Sequence, residues 1–221
     1  AIGAVLSVFF GTGVVLLTVI QTLGAGRQAG LETFLLGATA GMLRADALGV
    51  MFAALSSVLW LSTTLYAIGY LEDSPNRKRF FGFFSLCVTA SVGVAMAGNL
   101  LTFIIFYELL TLSTYPLVTH KGNDAARAED RVYLGILIAT SIGLLLPAII
   151  WTYAQAGTLD FTPGGILGGT GPLALGVLRA FFAFGTAKAG LMPVHRWLPA
   201  AMVAPTPVSA LLHAVAVVKA G

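Results

Sequence analysis

The sequence predicts an all-α, polytopic transmembrane helix bundle, and two observations lead there. Of its 221 residues, 57% are hydrophobic and 10% charged, against about 25% charged in an average soluble domain. Twelve basic and nine acidic residues cannot cover the apolar surface such a chain would present to water. The apolar residues also come in blocks long enough to cross a bilayer, which takes roughly 20 residues at about 1.5 Å each.

In chain order the expected spans are Ala1–Leu23, Leu48–Tyr70, Phe80–Gly98, Leu100–Val118, Tyr133–Tyr153 and Pro172–Gly190. Pro207–Gly221 begins another. The expectation is therefore six full spans and the start of a seventh, all in a single membrane domain, 1–221. The polar, turn-favouring pair Gly98-Asn99 closes a tight hairpin between the third and fourth spans. Leu31–Thr39 mixes apolar residues with Thr and Gly as a short hairpin does. Gly157–Gly171 is rich in glycine and carries Pro163, which suits a loop. Without an initiator Met or a signal-peptide pattern, Ala1 is expected to lie within a longer protein. The lone Cys87 permits no internal disulfide and offers no metal-site spacing.

If the spans alternate sides, Arg77, Lys78, Arg79, Lys121, Arg127, Arg131 and Arg196 fall on one face and Arg27 and Arg44 on the other. Basic loops stay on the cytoplasmic side, so the Glu72–Arg79 and His120–Arg131 loops are expected inside. The basic balance reports topology and gives no reason to expect nucleic acid. The localisation expected is a bacterial inner membrane, crossed many times.

Charge inside the spans needs a reason, since an ionised group at a helix centre costs roughly 2.5–3.5 kcal/mol on insertion scales. Glu108 shares a predicted stripe with Thr111 and Tyr115 on an otherwise apolar helix. Lys188 sits in a stretch with Gly185, Thr186 and Gly190, followed by Pro193 and Pro199, so the helix should break beside it. A broken helix at membrane depth is tolerated where its freed backbone is buried in protein or lines a cavity. A buried lysine near a carboxylate can load and release a proton as the pair forms and parts. The competing readings are a static pair between Glu108 and a neighbouring helix, and a Lys188 that snorkels to the interface.

Thr206-Pro207 reads as a helix start, with Thr206 as N-cap and Pro207 at the first helical position. Along that helix His213 and Lys219 lie about 9 Å apart in rise and roughly 120° apart, within reach of one aqueous file but not of one ligand. His213 reads equally well as an interhelical hydrogen-bond partner. His195, Arg196 and Trp197, between two prolines, read as a membrane-interface anchor. His120 reads as solvated.

The run Lys188-Ala-Gly-Leu-Met-Pro193-Val-His195-Arg-Trp197-Leu-Pro199-Ala-Ala-Met202, followed by Ala204-Pro-Thr-Pro-Val-Ser-Ala-Leu-Leu-His213-Ala, resembles the signature of antiporter-like subunits. Such subunits occur in Mrp-type cation/proton antiporters, respiratory complex I and membrane-bound hydrogenases. The resemblance implies a scaffold of fourteen core helices in two inverted repeats, of which this chain would be helices two to eight. It further implies that Glu108, in Tyr107-Glu108-Leu-Leu, is the fifth-helix glutamate and Lys188 the lysine of the broken seventh helix. His213 and Lys219 would belong to the eighth helix, with Gly190 and Pro193 at the break.

Ala200, where many complex I subunits carry an acid, and the basic Lys219 tilt the likeness toward the Mrp type, as a D-type or A-type member. The implied partners are the other membrane subunits of a multisubunit antiporter, with protons and Na⁺ or K⁺ as cargo. The chain carries no cysteine cluster, dinucleotide fingerprint or haem motif. A transporter subunit with no cofactor is therefore expected, not an enzyme. The rival functions are a proton-pumping subunit of a redox-driven complex, a structural subunit whose charges only hold helices together, and an independent solute carrier.

Overall fold

The computed structural model describes residues 42–72, 74, 76–121, 124–201, 204–211 and 217–220. Within them every regular element is a helix. α1 (Ala47–Tyr70), α2 (Arg77–Ala95) and α3 (Leu100–Val118) come first. α4 (Asp124–Thr140) then runs through a π-helical segment, Ser141–Leu145, into α5 (Leu146–Ala156). α6 (Pro172–Gly185) precedes three short pieces: α7 (Trp197–Ala200), α8 (Thr206–Leu211) and α9 (Val217–Ala220).

Among the described residues, four helical stretches are long and apolar enough to cross a membrane: Ala47–Tyr70, Arg77–Ala95, Leu100–Val118 and Arg131–Ala156. The sequence expectation of six full spans is thus met by four among the described residues, plus the shorter apolar helix Pro172–Gly185. The first expected span and the 31–39 hairpin lie outside the described residues. The expected span Pro172–Gly190 is cut short because Gly185 and Thr186 end the helix, leaving 14 residues, or about 21 Å against a hydrocarbon core of about 30 Å. The late helix includes Thr206 instead of being capped by it, a one-residue difference at a helix end.

Two helix starts are fixed by side-chain caps. Asp46 caps α1 by accepting the Gly49 N–H at 2.6 Å, and Asn99 caps α3 by accepting the Thr102 N–H at 2.8 Å. The α2–α3 turn is itself clasped from both sides by backbone hydrogen bonds. Gly98 N–H donates to Met42 and Arg44 N–H to Met96, while Leu100 N–H donates to Leu159 and Phe161 N–H to Gly98, at 2.7–3.2 Å. Three distant parts of the chain, around residues 43, 98 and 160, are therefore tied together at one end of the bundle.

The main core joins α1–α4 to the late pieces of the chain. Trp60, Phe80, Phe84, Leu110, Leu117 and Tyr133 are fully or almost fully buried, together with Val208 and Val217 from the late pieces. Buried hydroxyls return to their own helices: Thr64 to Trp60, Thr140 to Ile136, Ser141 to Leu137 and Thr152 to Ala148, all at 2.8–2.9 Å. They add polarity to the interior while keeping their own donors satisfied. Outward, α1 presents Leu48, Met51, Leu55 and Leu65, a face suited to lipid.

The π segment and α6 meet at Gly185. Pro147 offers no N–H to the preceding turn, and the Leu146 N–H reaches back five residues to Ser141, widening the helix locally. Gly185 is buried there, and a Cβ on it would lie 2.6 Å from the Leu145 backbone nitrogen. Gly185→Ala is expected to lower the melting temperature of the solubilised full-length protein by several degrees, the effect of about 1–3 kcal/mol of overpacking. Gly176→Ala, in open space on the same helix, should leave it unchanged.

Candidate functional site

Lys188 occupies a single 3₁₀ turn, Ala187–Ala189, between the end of α6 and Gly190. Gly190 adopts φ 73°, a left-handed conformation that glycine takes at no steric cost, and its N–H closes the turn on the Ala187 carbonyl at 2.9 Å. The carbonyls freed by the break are taken up at once. Ala189 N–H donates to Thr186 at 3.0 Å, and the Trp197 indole N–H donates to Ala187 at 2.8 Å. Pro193 is exposed and precedes the 3₁₀ turn Val194–Arg196, which leads into Trp197.

Trp197 is therefore not an interface anchor. It is 0% exposed and lies edge-on to Tyr133 at 5.9 Å, locking the returning chain onto the break. Tyr133 in turn shares a 2.7 Å hydroxyl hydrogen bond with Thr114 of α3. A chain of specific contacts thus runs from α3 through α4 to the carbonyl beside Lys188.

The lysine itself is 0% exposed, so it does not snorkel. Its Nζ donates to the Tyr107 backbone carbonyl and stands 3.2 Å from the centroid of the Tyr107 ring. Its backbone N–H approaches the Tyr107 hydroxyl at 3.4 Å. An ammonium out of water is held best by a carbonyl dipole and the negative face of an aromatic ring, and one residue supplies both. The next residue on α3 is Glu108. Its Oε1 is buried with no hydrogen-bond partner among the described residues.

The rotational phase of α3 differs from the predicted stripe. Tyr115 is 38% exposed, whereas Thr111 and Thr114 are fully buried. Thr111 Oγ1 returns to the Tyr107 carbonyl at 3.1 Å, so the inward polar row is Tyr107, Thr111 and Thr114, with Glu108 beside it. Cys87 is also inside, its thiol donating to Ser113 at 3.2 Å.

Of the residues expected at the site, Lys188 is seated on Tyr107, the chain neighbour of Glu108, and Gly190 closes the lysine's own turn. α9, which carries Lys219, packs against the Lys188 turn, but the Lys219 side chain and all of His213 lie outside the described residues.

Two residues escape sequence reasoning. Tyr107 looks like one more aromatic in an apolar helix until the fold brings it under the lysine. Arg179 carries a plainer signal: it is a charge seven positions past Pro172 in an apolar segment, and the structure leaves it exposed on α6.

On the side of Tyr107 toward the clasped end, the approach to the lysine is apolar. Ile104, Leu145 and Ile149 are buried there with Phe103, Leu159 and Phe182 packed against them. At the opposite end, His120 is half-buried, shares a 3.0 Å hydrogen bond with Ser74 and leaves its Nδ1 buried without a partner among the described residues. It is not the solvated histidine the sequence suggests.

Residues 97–221 match the transmembrane family described as NADH:quinone oxidoreductase/Mrp antiporter. The chain is 32% identical over 186 residues to Staphylococcus aureus proteins, of strains JH9 and JH1, named as antiporter subunit mnhA2. The match covers 81% of this chain but 23% of those relatives, so the chain spans about a quarter of their length. It is also similar in structure to a chain of the Mrp complex from Dietzia sp. DQ12-45-1b, with TM-score 0.75 and 26% identity, covering 80% of this chain and 20% of that one.

Burial, with Arg79 nearby, holds His120 below its ordinary value of 6.5. The unfolded chain then binds more protons than the folded one in this window, so the contribution to stability is complete above about pH 6.5 and is lost as pH falls below it. The melting temperature of the full-length protein should fall from about pH 7.5 to about pH 5.5, and His120→Gln should flatten part of that fall. An unchanged slope in the variant would show that His120 does not contribute.

Proposed function

Since the chain belongs to the NADH:quinone oxidoreductase/Mrp antiporter transmembrane family, we propose that it is a proton-carrying part of an A-type subunit in a multisubunit monovalent cation/proton antiporter. The observation that carries this reading is Lys188, fully buried on the carbonyl and ring of Tyr107, beside a Glu108 oxygen that has no partner among the described residues.

In this reading the proton resides on Lys188. Tyr107 is the seat of the charged ammonium, and Glu108 is the counter-charge to which it can turn. The two seats lie on adjacent residues of one helix, so a rotation of the lysine stem, without movement of α3, exchanges one for the other. With the ammonium on Tyr107, the carboxylate is left free to draw a proton or a cation. With it on Glu108, the pair is neutralised. The break between α6 and Gly190 supplies the stem's freedom, because the turn is held by few backbone hydrogen bonds.

The apolar plug of Ile104, Leu145 and Ile149 disfavours release straight through the bundle toward the clasped end. A lateral path along α9, by way of Lys219 and His213, agrees with the packing of α9 on the lysine turn. Coupling to Na⁺ or K⁺ would occur in the assembled complex, whose other membrane subunits are the partners, in the cytoplasmic membrane of a bacterium. The second reading keeps the same proton site but drives it from redox chemistry elsewhere in a complex, as the breadth of the family's description allows.

The test is antiport in inverted vesicles carrying the full-length protein in its complex, with assembly matched between variants. Lys188→Ala and Glu108→Gln should abolish cation-dependent proton flux, and normal flux in both would reduce these charges to structural pairs. A finer test separates the seat from the scaffold. Tyr107→Leu, which removes the ring, should cut flux roughly three- to thirtyfold, as loss of about 0.6–2 kcal/mol of cation–π attraction implies. Tyr107→Phe, which keeps ring and carbonyl, should retain most of it.

A further inference from the structure

A second polar place lies apart from the lysine, at the clasped end of the bundle. A cleft of about 470 Å³ opens between α3, α5, α6 and the loop after α5. Leu175, Arg179 and Phe182, at helical spacing along α6, line it together with Asp160, Phe161 and Thr162 of the loop. Arg179 is exposed on a helix that also exposes Leu173, Val177 and Phe184, so this charge has apolar side chains as its neighbours on the helix surface. Among the described residues it has no partner that would account for it there.

Its depth and the local charge narrow the occupant. Arg179 lies seven residues along α6 from Pro172, about 10 Å, a distance over which a guanidinium reaches the headgroup level by extending its stem. Arg44 donates to the Phe161 carbonyl at 3.3 Å, placing a second guanidinium at the rim. Two cations against the single carboxylate of Asp160 favour an anion, and the planar fork of arginine matches phosphate oxygens. The apolar wall beside them suits a chain of methylenes. Phe182 belongs both to this wall and to the apolar plug before Tyr107, so the cleft is closed off from the proton site.

We propose that this cleft holds a membrane phospholipid, with its phosphate on Arg179 and an acyl chain along Leu175 and Phe182. Asp160 accepts a hydrogen bond from the headgroup, which selects headgroups carrying an ammonium or hydroxyl donor over a quaternary one.

The test uses the full-length complex in nanodiscs of phosphatidylethanolamine, phosphatidylglycerol or phosphatidylcholine, extracted into mild detergent, with retained lipid read by native mass spectrometry. Wild type should keep phosphatidylethanolamine and phosphatidylglycerol in preference to phosphatidylcholine. Arg179→Gln should weaken that retention about tenfold, the effect of one charge-assisted contact, and Asp160→Ala should erase the preference among headgroups. Leu173→Ala, on the same helix outside the cleft, should change nothing.

Equal retention by wild type and Arg179→Gln would overturn the proposal. So would displacement of the lipid by inorganic phosphate alone, or crosslinking of a photoreactive residue at position 179 to a neighbouring subunit and not to lipid. Should Arg179→Gln fail to assemble, the headgroup preference of the wild-type complex decides the question, and its absence would equally overturn the proposal.

Discussion

The structure is organised around the difficulty of keeping an ammonium group out of water. An ion of that size loses several kcal/mol on burial even after the protein relaxes around it, and Lys188 is wholly inside. Everything in its vicinity answers to that cost. α6 stops early, so that the lysine leaves from a turn and not from a rigid helix. Tyr107 offers a carbonyl and a ring face at the same place. The indole of Trp197, packed on Tyr133, adds a second donor to the Ala187 carbonyl, which already accepts the Gly190 N–H.

Specificity of position follows from small groups as much as from charged ones. Gly185 admits α6 against the backbone of the π segment, and Pro147 is part of why that segment exists. Together they determine how closely the broken helix approaches that segment. Polar side chains with no part in this arrangement, such as Thr64, Thr140 and Thr152, fold back onto their own helices and ask nothing of their neighbours.

What the sequence discloses and what it withholds divide along physical lines. A break beside Lys188 was legible because Gly185, Thr186, Gly190 and Pro193 are all poor at continuing a helix. The tight turn at Gly98-Asn99 was legible from its composition, and Asn99 does cap α3. The phase of α3 was not, because a helix apolar on nearly every side gives no periodic signal to orient it. Tyr115 was thus expected inside, while Tyr107 and Thr114 occupy that row. Trp197 was expected at the membrane surface on the strength of its neighbours; the carbonyl that draws it inward belongs to a residue ten positions away and exists only once the helix has broken. The length of α6 was overestimated because an apolar run does not reveal where backbone hydrogen bonding ends.

The backbone clasp around Gly98 has a consequence for tolerance along the membrane normal. Helices in lipid can slide along one another at small cost, since one apolar side chain replaces another. Here the turn between α2 and α3 is held to residues 42–44 and 159–161 by bonds that permit no such sliding. The clasp acts as a datum from which depth is measured. A shift of one residue, about 1.5 Å, is a large fraction of the 3.2 Å between the lysine nitrogen and the tyrosine ring. The geometry of the innermost charge is thus gauged from the far end of the bundle, where the chain meets water and ordinary hydrogen bonds can set a length.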